Sequence, residues 1–470
     1  MHPQLTGLFH ALPGSLRVVA ASLRGWQLRR LRYDRHTDAL IREAEAREFW
    51  TPGEWQEWLA PRLAQVLRHA ALQVPAYRDL WRGIDAGSRP WEELSRWPIL
   101  TKARIRERPD DFIAADANRR RLNRVTTSGT SGAPLTVWQS PRAVREWYAL
   151  GEARWLRWYG LTRHDRWAMI GGQIVVPFAR SEPPYWVWNA VGHQLYMSAY
   201  HIARRTAPAY VDAMTRARVR YLWAYSSSAY ALAQFMLERR VAPPRLEAVI
   251  TNAEPLFAHQ REAIVKAFQC PAYETYGMNE MVAAASECRH GRLHLWPAVG
   301  ATEILQPDAD VPAPAGTPGR LVATGLVNDA MPLVRYEVGD MLTLEPAGST
   351  CPCGRSMPIL RRLEGRSDDV VVTPDGRRIG RLGPVFHGDM PITESQIVQE
   401  TLTTLRVLVA PLPAFGREHE RLLEERLRER VGPMEIVVER RESLSRSANG
   451  KLKTVVSHLG NDGGANARTS

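Results

Sequence analysis

Between residues 141 and 290 short apolar runs alternate with helical stretches, and no other feature narrows the fold as far. The runs "RWAMIGG", "YLWAYS", "EAVITNA" and "AYETYG" have the length of strands, while "AVREWYALGEARWLRWYG" and "APAYVDAMTRARVR" carry apolar residues at helical spacing. Strands interleaved with helices in this way predict an α/β layered sheet. Ligands of such sheets bind at the loops leaving the carboxyl ends of strands. That rule singles out "SSS" after Trp223, "NAEPL" after Ile250 and "YGMNE" after Thr275.

On either side the pattern changes. Residues 36–72 read as helix with a stop and restart at "TPGEW", where Thr51 is placed to cap and Pro52 to begin a new first turn. From about residue 296 short strands with turns predict a small β-rich subdomain, and a hairpin is expected around Asp375 and Gly376. The last hundred residues read as strand "QIVQE", strand "LRVLVA", helix "REHERLLEERLRER", strand "MEIVVE" and a basic terminal loop, a compact α+β module. The final "GNDGGANARTS" has the composition of a disordered tail.

The stretch "VTTSGTSGAPLTVW" at 125–138 places small hydroxyl residues and glycines between two strand-like runs. This predicts a hairpin whose loop lets N–H groups and hydroxyls approach an anion closely, with phosphate the obvious anion and an ordinary surface loop the plain alternative. The common nucleotide P-loop is not indicated, because its lysine and spacing are missing. A net charge of +12 would favour an anionic ligand, yet the arginines are spread along the chain beside acids, so nucleic acid is not the expected partner. Four cysteines in 470 residues do not make a disulfide framework, and a reducing cytoplasm is expected. No apolar run has the length of a membrane span. The segment "LFHALPGSLRVVAASLRGW" reads as an amphipathic helix, which leaves weak contact with a membrane surface open.

Six signatures in fixed order carry a resemblance: "TTSGTSGAP" at 126–134, "NAEPL" at 252–256, "ETYGMNE" at 274–280, "RYEVGD" at 335–340, "LEGRSDD" at 363–369 and "LSRSANGK" at 444–451. Together they resemble the adenylate-forming superfamily, and "HAALQVPAYRDLW", "PILTKARIR", "AYSSSAYALA" and "CPCGR" bring the match closer to its branch of phenylacetate-CoA ligases and CapK-like proteins. The resemblance implies a large multi-subdomain N-terminal region (residues 1–366), a small mobile α+β lid (367–458) and a tail (459–470). It implies activation of a carboxylic acid by ATP as acyl-adenylate with release of pyrophosphate, followed by transfer to a thiol, CoA above all. Transfer to an amine, hydroxyl or carrier protein, or a scaffold that binds nucleotide without turnover, are the alternatives it leaves. The enzyme would be a monomer or homodimer.

By that resemblance Thr127, Ser128, Gly129, Thr130, Ser131 and Gly132 would wrap the ATP phosphates, and Ala253, Glu254 and Pro255 would border the nucleotide. Tyr276 and Gly277 would lie at the adenine, Asn279 would donate to the α-phosphate and Glu280 would hold Mg²⁺. Asp340 would accept from the ribose hydroxyls, with Arg366 a second nucleotide contact. Asp368 would be the hinge, and Lys451 the lysine that stabilises charge as the carboxylate attacks. Leu135 stands where many members of the superfamily carry lysine, Asn279 replaces the usual Ser or Thr, and Glu337 and Val338 replace the usual Arg/Lys-Thr.

Cys288, His294, Cys351 and Cys353 have ligand types suited to a closed tetrahedral structural zinc site, with His290 as alternate fourth ligand. The alternative is three buried thiols and a surface histidine, and Cys270 reads as core. Trp147, Trp155, Trp158, Trp167, Trp186 and Trp188 crowd the segment expected to shape the acid pocket. Spacing puts the first three on one helix face, so core packing is their main expected use.

Overall fold

The computed structural model describes residues 8–78, 89–126, 135–177, 180–366, 371–374, 378–379, 382–386, 390–446 and 452–459. The apolar runs are strands: β3 (Trp167–Gly171), β6 (Tyr221–Tyr225), β7 (Ala248–Asn252) and β8 (Ala272–Gly277), preceded by the hairpin β1 (Asn123–Thr126) and β2 (Thr136–Gln139). With β4 (Trp186–Asn189), β5 (Gln194–Ser198), β9 (Ala284–Glu287), β10 (Leu293–Leu295), β11 (Gly300–Leu305), β12 (Gly319–Gly325), β13 (Tyr336–Leu344) and β14 (Ile359–Arg366), they join a sheet of order β11-β12-β13-β14-β10-β9-β8-β7-β6-β3-β5-β4. Strands β5, β3, β6, β7 and β8 are mutually parallel. At β8 the pairing turns antiparallel, so the β-rich half continues the same sheet.

The central strands are buried on both faces, and successive side chains enter different cores as their period of two requires. Tyr221 and Ile250 belong to one core cluster, and their neighbours Leu222 and Val249 to another. Helices α1 (Gly14–Arg32), α2 (Thr37–Ala46), α3 (Pro52–Gln73) and α4 (Pro141–Gly151) precede the parallel strands; α5 (Ala207–Arg216), α6 (Ser226–Arg239) and α7 (Ala258–Phe268) alternate with them. Ile41, Ala44, Trp147 and Leu150 from α2 and α4 cover one face, whereas Tyr210, Met214, Leu232 and Ile264 from α5, α6 and α7 cover the other. Because β3 is followed by β5 on one side and β6 on the other, the chain order reverses there and a crevice opens at the carboxyl ends of β3 and β6.

Local expectations hold at α3, where Thr51 and Glu54 form a capping box around Pro52. They fail after α4. The helix expected to run to Gly160 widens into a π turn at Glu152–Leu156. A Cβ at Gly151 would lie 2.8 Å from the Trp155 ring, so the glycine is what lets the widened turn fold Trp155 back.

Toward the C-terminus β15 (Val371–Val372) and β16 (Arg378–Ile379) pair antiparallel on either side of the turn expected at Asp375 and Gly376, which lie outside the described residues. Strands β17 (Ile392–Gln399), β18 (Thr404–Pro411), β19 (Glu435–Arg440) and β20 (Val455–Ser457) form a sheet of order β19-β18-β17-β20, crossed by α8 (Arg417–Val431). Leu423, Leu427 and Val431 pack with Ile397, Val407, Val409 and Ile436 as a core of their own. The segment expected to be a basic loop contains β20, because the free edge of β17 accepts Val455 and Val456 in parallel register. Among the described residues no helix is long and apolar enough to cross a membrane.

Candidate active site

Three signatures converge on one cavity at the carboxyl ends of the parallel strands, lined by Asn252–Pro255, Tyr276, Asn279, Glu280 and Asp340. Near the end of β8 stands Tyr276, whose hydroxyl donates to Asp340 Oδ2 at 2.6 Å although 64 residues separate them. Both side chains are buried. Four residues after Tyr276, Glu280 accepts from the Tyr336 hydroxyl at 3.0 Å. Tyr336, Val338 and Asp340 are alternate, buried positions at the start of β13, so "RYEVGD" presents two polar groups to the same side. That alternation is the signal by which Tyr336 was findable, and the sequence reading missed it. The first residue of the signature serves the scaffold instead, since Arg335 is buried, pairs with Glu303 and donates to the Trp97 carbonyl at 2.7 Å.

The backbone of this wall is pinned. Gln139, on β2, donates to the Asn279 carbonyl at 2.7 Å, and Lys102 to the Val338 carbonyl at 2.5 Å. Ala253 follows β7 in the left-handed region at φ 67°, a strained state for a residue with a side chain, at the strand end where ligands of such sheets bind. A Cβ at Gly277 would lie 3.2 Å from Trp155 and 3.4 Å from Trp147, so these rings close against the backbone beside Tyr276. Trp147 belongs to the core and also borders the cavity; Trp167 and Trp223 line it; Trp158 packs on His294 and Arg355.

Glu254 is held by the protein itself. Its carboxylate accepts from the Ser227 N–H at 2.9 Å and from the Leu452 N–H at 3.0 Å, tying the start of α6 to the approach to β20. Arg446, also from the C-terminal region, pairs with Glu394 and reaches the Ser227 hydroxyl at 3.3 Å. Glu274 was not singled out in the sequence beyond its place in "ETYGMNE". It accepts from the Leu256 N–H at 3.0 Å and lines the cavity, and desolvation, with Glu287 close by, pushes its carboxyl up to about 7.

The phosphate-loop residues Thr127, Ser128, Gly129, Thr130, Ser131 and Gly132 lie outside the described residues, as do Asp368 and Lys451. The hairpin that carries the loop is in place, with Thr126 opposite Thr136. Arg366 is opposite Asp340 across β13 and β14.

Away from the cavity, Cys288, His294, Cys351 and Cys353 come together, their ligand atoms all within 4.8 Å of one another. Cys288 Sγ is 3.7 Å from Cys351 Sγ, and Cys353 Sγ is 3.4 Å from His294 Nε2. His294 turns Nδ1 to the Met357 carbonyl at 3.3 Å, and burial lowers its pKa, favouring the neutral ring. Cys270 is buried in the core, as expected.

Residues 371–458 match the family model of the CapK C-terminal domain. Protein CapK of Staphylococcus aureus is 23% identical over 318 residues, covering 67% of this chain and 68% of its own length. Phenylacetate-coenzyme A ligase of Thermus thermophilus is 27% identical over 341 residues, 66% of this chain and 70% of that protein. Among solved structures, 2-hydroxyisobutyryl-CoA ligase in the postadenylation state aligns over 88% of this chain and 91% of its own, with a TM-score of 0.66 at 19% identity. The fold of adenylate-forming CoA ligases is therefore the fold described above.

Proposed function

We propose, from the premise that this chain is a homologue of Protein CapK and the phenylacetate-coenzyme A ligases, that it joins a carboxylic acid to ATP as acyl-adenylate, releasing pyrophosphate, and passes the acyl group to CoA. The observation that carries the reading is the Tyr276–Asp340 hydrogen bond, which draws two distant signatures into one wall of the cavity. In this reading Asp340 accepts from the ribose, the Tyr276 ring flanks the adenine, and the turn at Ala253–Pro255 borders the nucleotide. Thr127 to Gly132 wrap the phosphates, Asn279 donates to the α-phosphate and Arg366 contacts the nucleotide beside Asp340. Glu280 offers a hard oxygen ligand held by Tyr336 and is the residue that would hold Mg²⁺, which supplies neutralising charge at the phosphates. Lys451 stabilises the charge that develops as the acid attacks, because such catalysis is mainly positioning and electrostatics. Residues 367–458 act as the lid, hinged at Asp368.

ATP–pyrophosphate exchange over a panel of aryl, short, medium and sugar-derived acids tests the reading, run beside Lys451→Ala. Acid-dependent exchange that collapses in the variant supports it. Silence across the panel with ATP binding intact favours a scaffold without turnover. The CapK C-terminal domain match favours one second reading, in which an amine, hydroxyl or carrier protein replaces CoA. Single-turnover transfer from the isolated adenylate to each acceptor separates the two.

The cysteine cluster is assigned to structural zinc. A tetrahedral ion about 2.3 Å from each sulfur sets two sulfurs about 3.8 Å apart, and the Cys288–Cys351 separation of 3.7 Å supports that assignment. Four protein ligands leave no open position, and the Met357 carbonyl orients His294 as outer partners of metal ligands do.

A further inference from the structure

Helix α1 is seated by one side and leaves a second apolar stripe uncovered. Phe9, Val18 and Ala21 pack on Val175, Val176 and Val187, and Gly25 presses against the Asn189 side chain where any Cβ would collide. On the outer side Leu16, Val19, Leu23 and Trp26 follow at intervals of three and four and are 49, 52, 61 and 48% exposed. An apolar row of this regularity on an outer surface marks a place of contact.

Charge says what it contacts. Residues 8–33 contain five arginines and neither aspartate nor glutamate. Arg17 is buried, while Arg30 is exposed on the stripe, its guanidinium 4.6 Å from the centre of the Trp26 ring, and Arg24 and Arg29 are exposed at its flanks, where they also border the cavity. A tryptophan and leucines bordered by arginines, with no acid among them, match the boundary between acyl chains and anionic headgroups. A second copy of the chain matches poorly, since a two-fold contact would press this acid-free arginine row against itself. We propose that α1 docks on an anionic lipid bilayer, with Leu16, Val19, Leu23 and Trp26 entering the interface and the exposed arginines pairing with phosphates.

The test is co-sedimentation of the full-length protein with vesicles of phosphatidylcholine alone and of phosphatidylcholine mixed with phosphatidylglycerol. Each arginine near an anionic surface adds about fivefold to partitioning, so three give a preference on the order of a hundredfold for the anionic vesicles, declining with salt. Leu23 and Trp26 do not line the cavity, so Leu23→Glu with Trp26→Glu abolishes sedimentation while far-ultraviolet dichroism and the unfolding midpoint stay unchanged. Equal binding to both vesicles, or sedimentation retained by the double variant, overturns the proposal. So does a wild-type dimer that becomes monomeric in the variant without any vesicle binding, which assigns the stripe to a second copy. None of these readouts depends on acid activation.

Discussion

Replacing Glu274 by glutamine should make the protein more stable at neutral and alkaline pH and leave it unchanged in acid. The carboxyl is half-buried at the cavity wall, accepts from Leu256 N–H, and stands near Glu287, so its pKa is raised from 4.5 to about 7. Between those values the folded chain keeps a proton that the unfolded chain has lost. The stabilisation from this group is therefore complete below pH 4.5 and is lost as pH rises through about 7. The rise from 4.5 to about 7 corresponds to about 3–4 kcal/mol at most, and screening by water in the cavity trims it to about 2 kcal/mol. Glutamine stays neutral and its Oε1 still accepts from Leu256, so the wild-type loss is removed without breaking the link to the "NAEPL" turn. Urea unfolding of both proteins at a series of pH values reads the effect. The difference should rise from near zero at about pH 4.5 to about 2 kcal/mol at about pH 8. A difference that does not change with pH, or one that favours the wild type at high pH, would refute the reasoning.

Three further outcomes are expected. Tyr276→Phe removes the buried donor to Asp340, and because hydrogen bonds to charged groups contribute about 1.5–3 kcal/mol, nucleotide affinity should fall about tenfold or more in calorimetric titration. Glu48→Gln weakens the carboxylate that joins fully buried Arg154 at 2.9 Å and Arg355 at 2.6 Å; breaking such a pair costs about 3–5 kcal/mol, measurable by urea unfolding. Purified protein should carry about one zinc per chain by mass spectrometry, lost in Cys351→Ser and in Cys288→Ser, and a full complement in either serine variant would count against the metal.

The strand–helix alternation, the capping box at Thr51 and the hairpin around the glycine-rich loop were all legible, because each rests on neighbours within a few residues. The order of the signatures was legible for the same reason, each being short and contiguous. Other features depend on partners far along the chain. β20 forms only because β17 offers a free edge, and the π turn at Glu152–Leu156 forms where Gly151 leaves room for Trp155. The Tyr276 ring could be core or site until the fold set its hydroxyl against Asp340. Cys288 and Cys351, 63 residues apart, acquire a shared geometry through β9, β10 and β14. Residue types and spacing thus determined which chemistry the chain carries, since side-chain chemistry is intrinsic. Tertiary structure alone decided which groups meet, how dry their surroundings are and hence how Glu274 titrates, because burial and distance do not exist until the sheet is assembled.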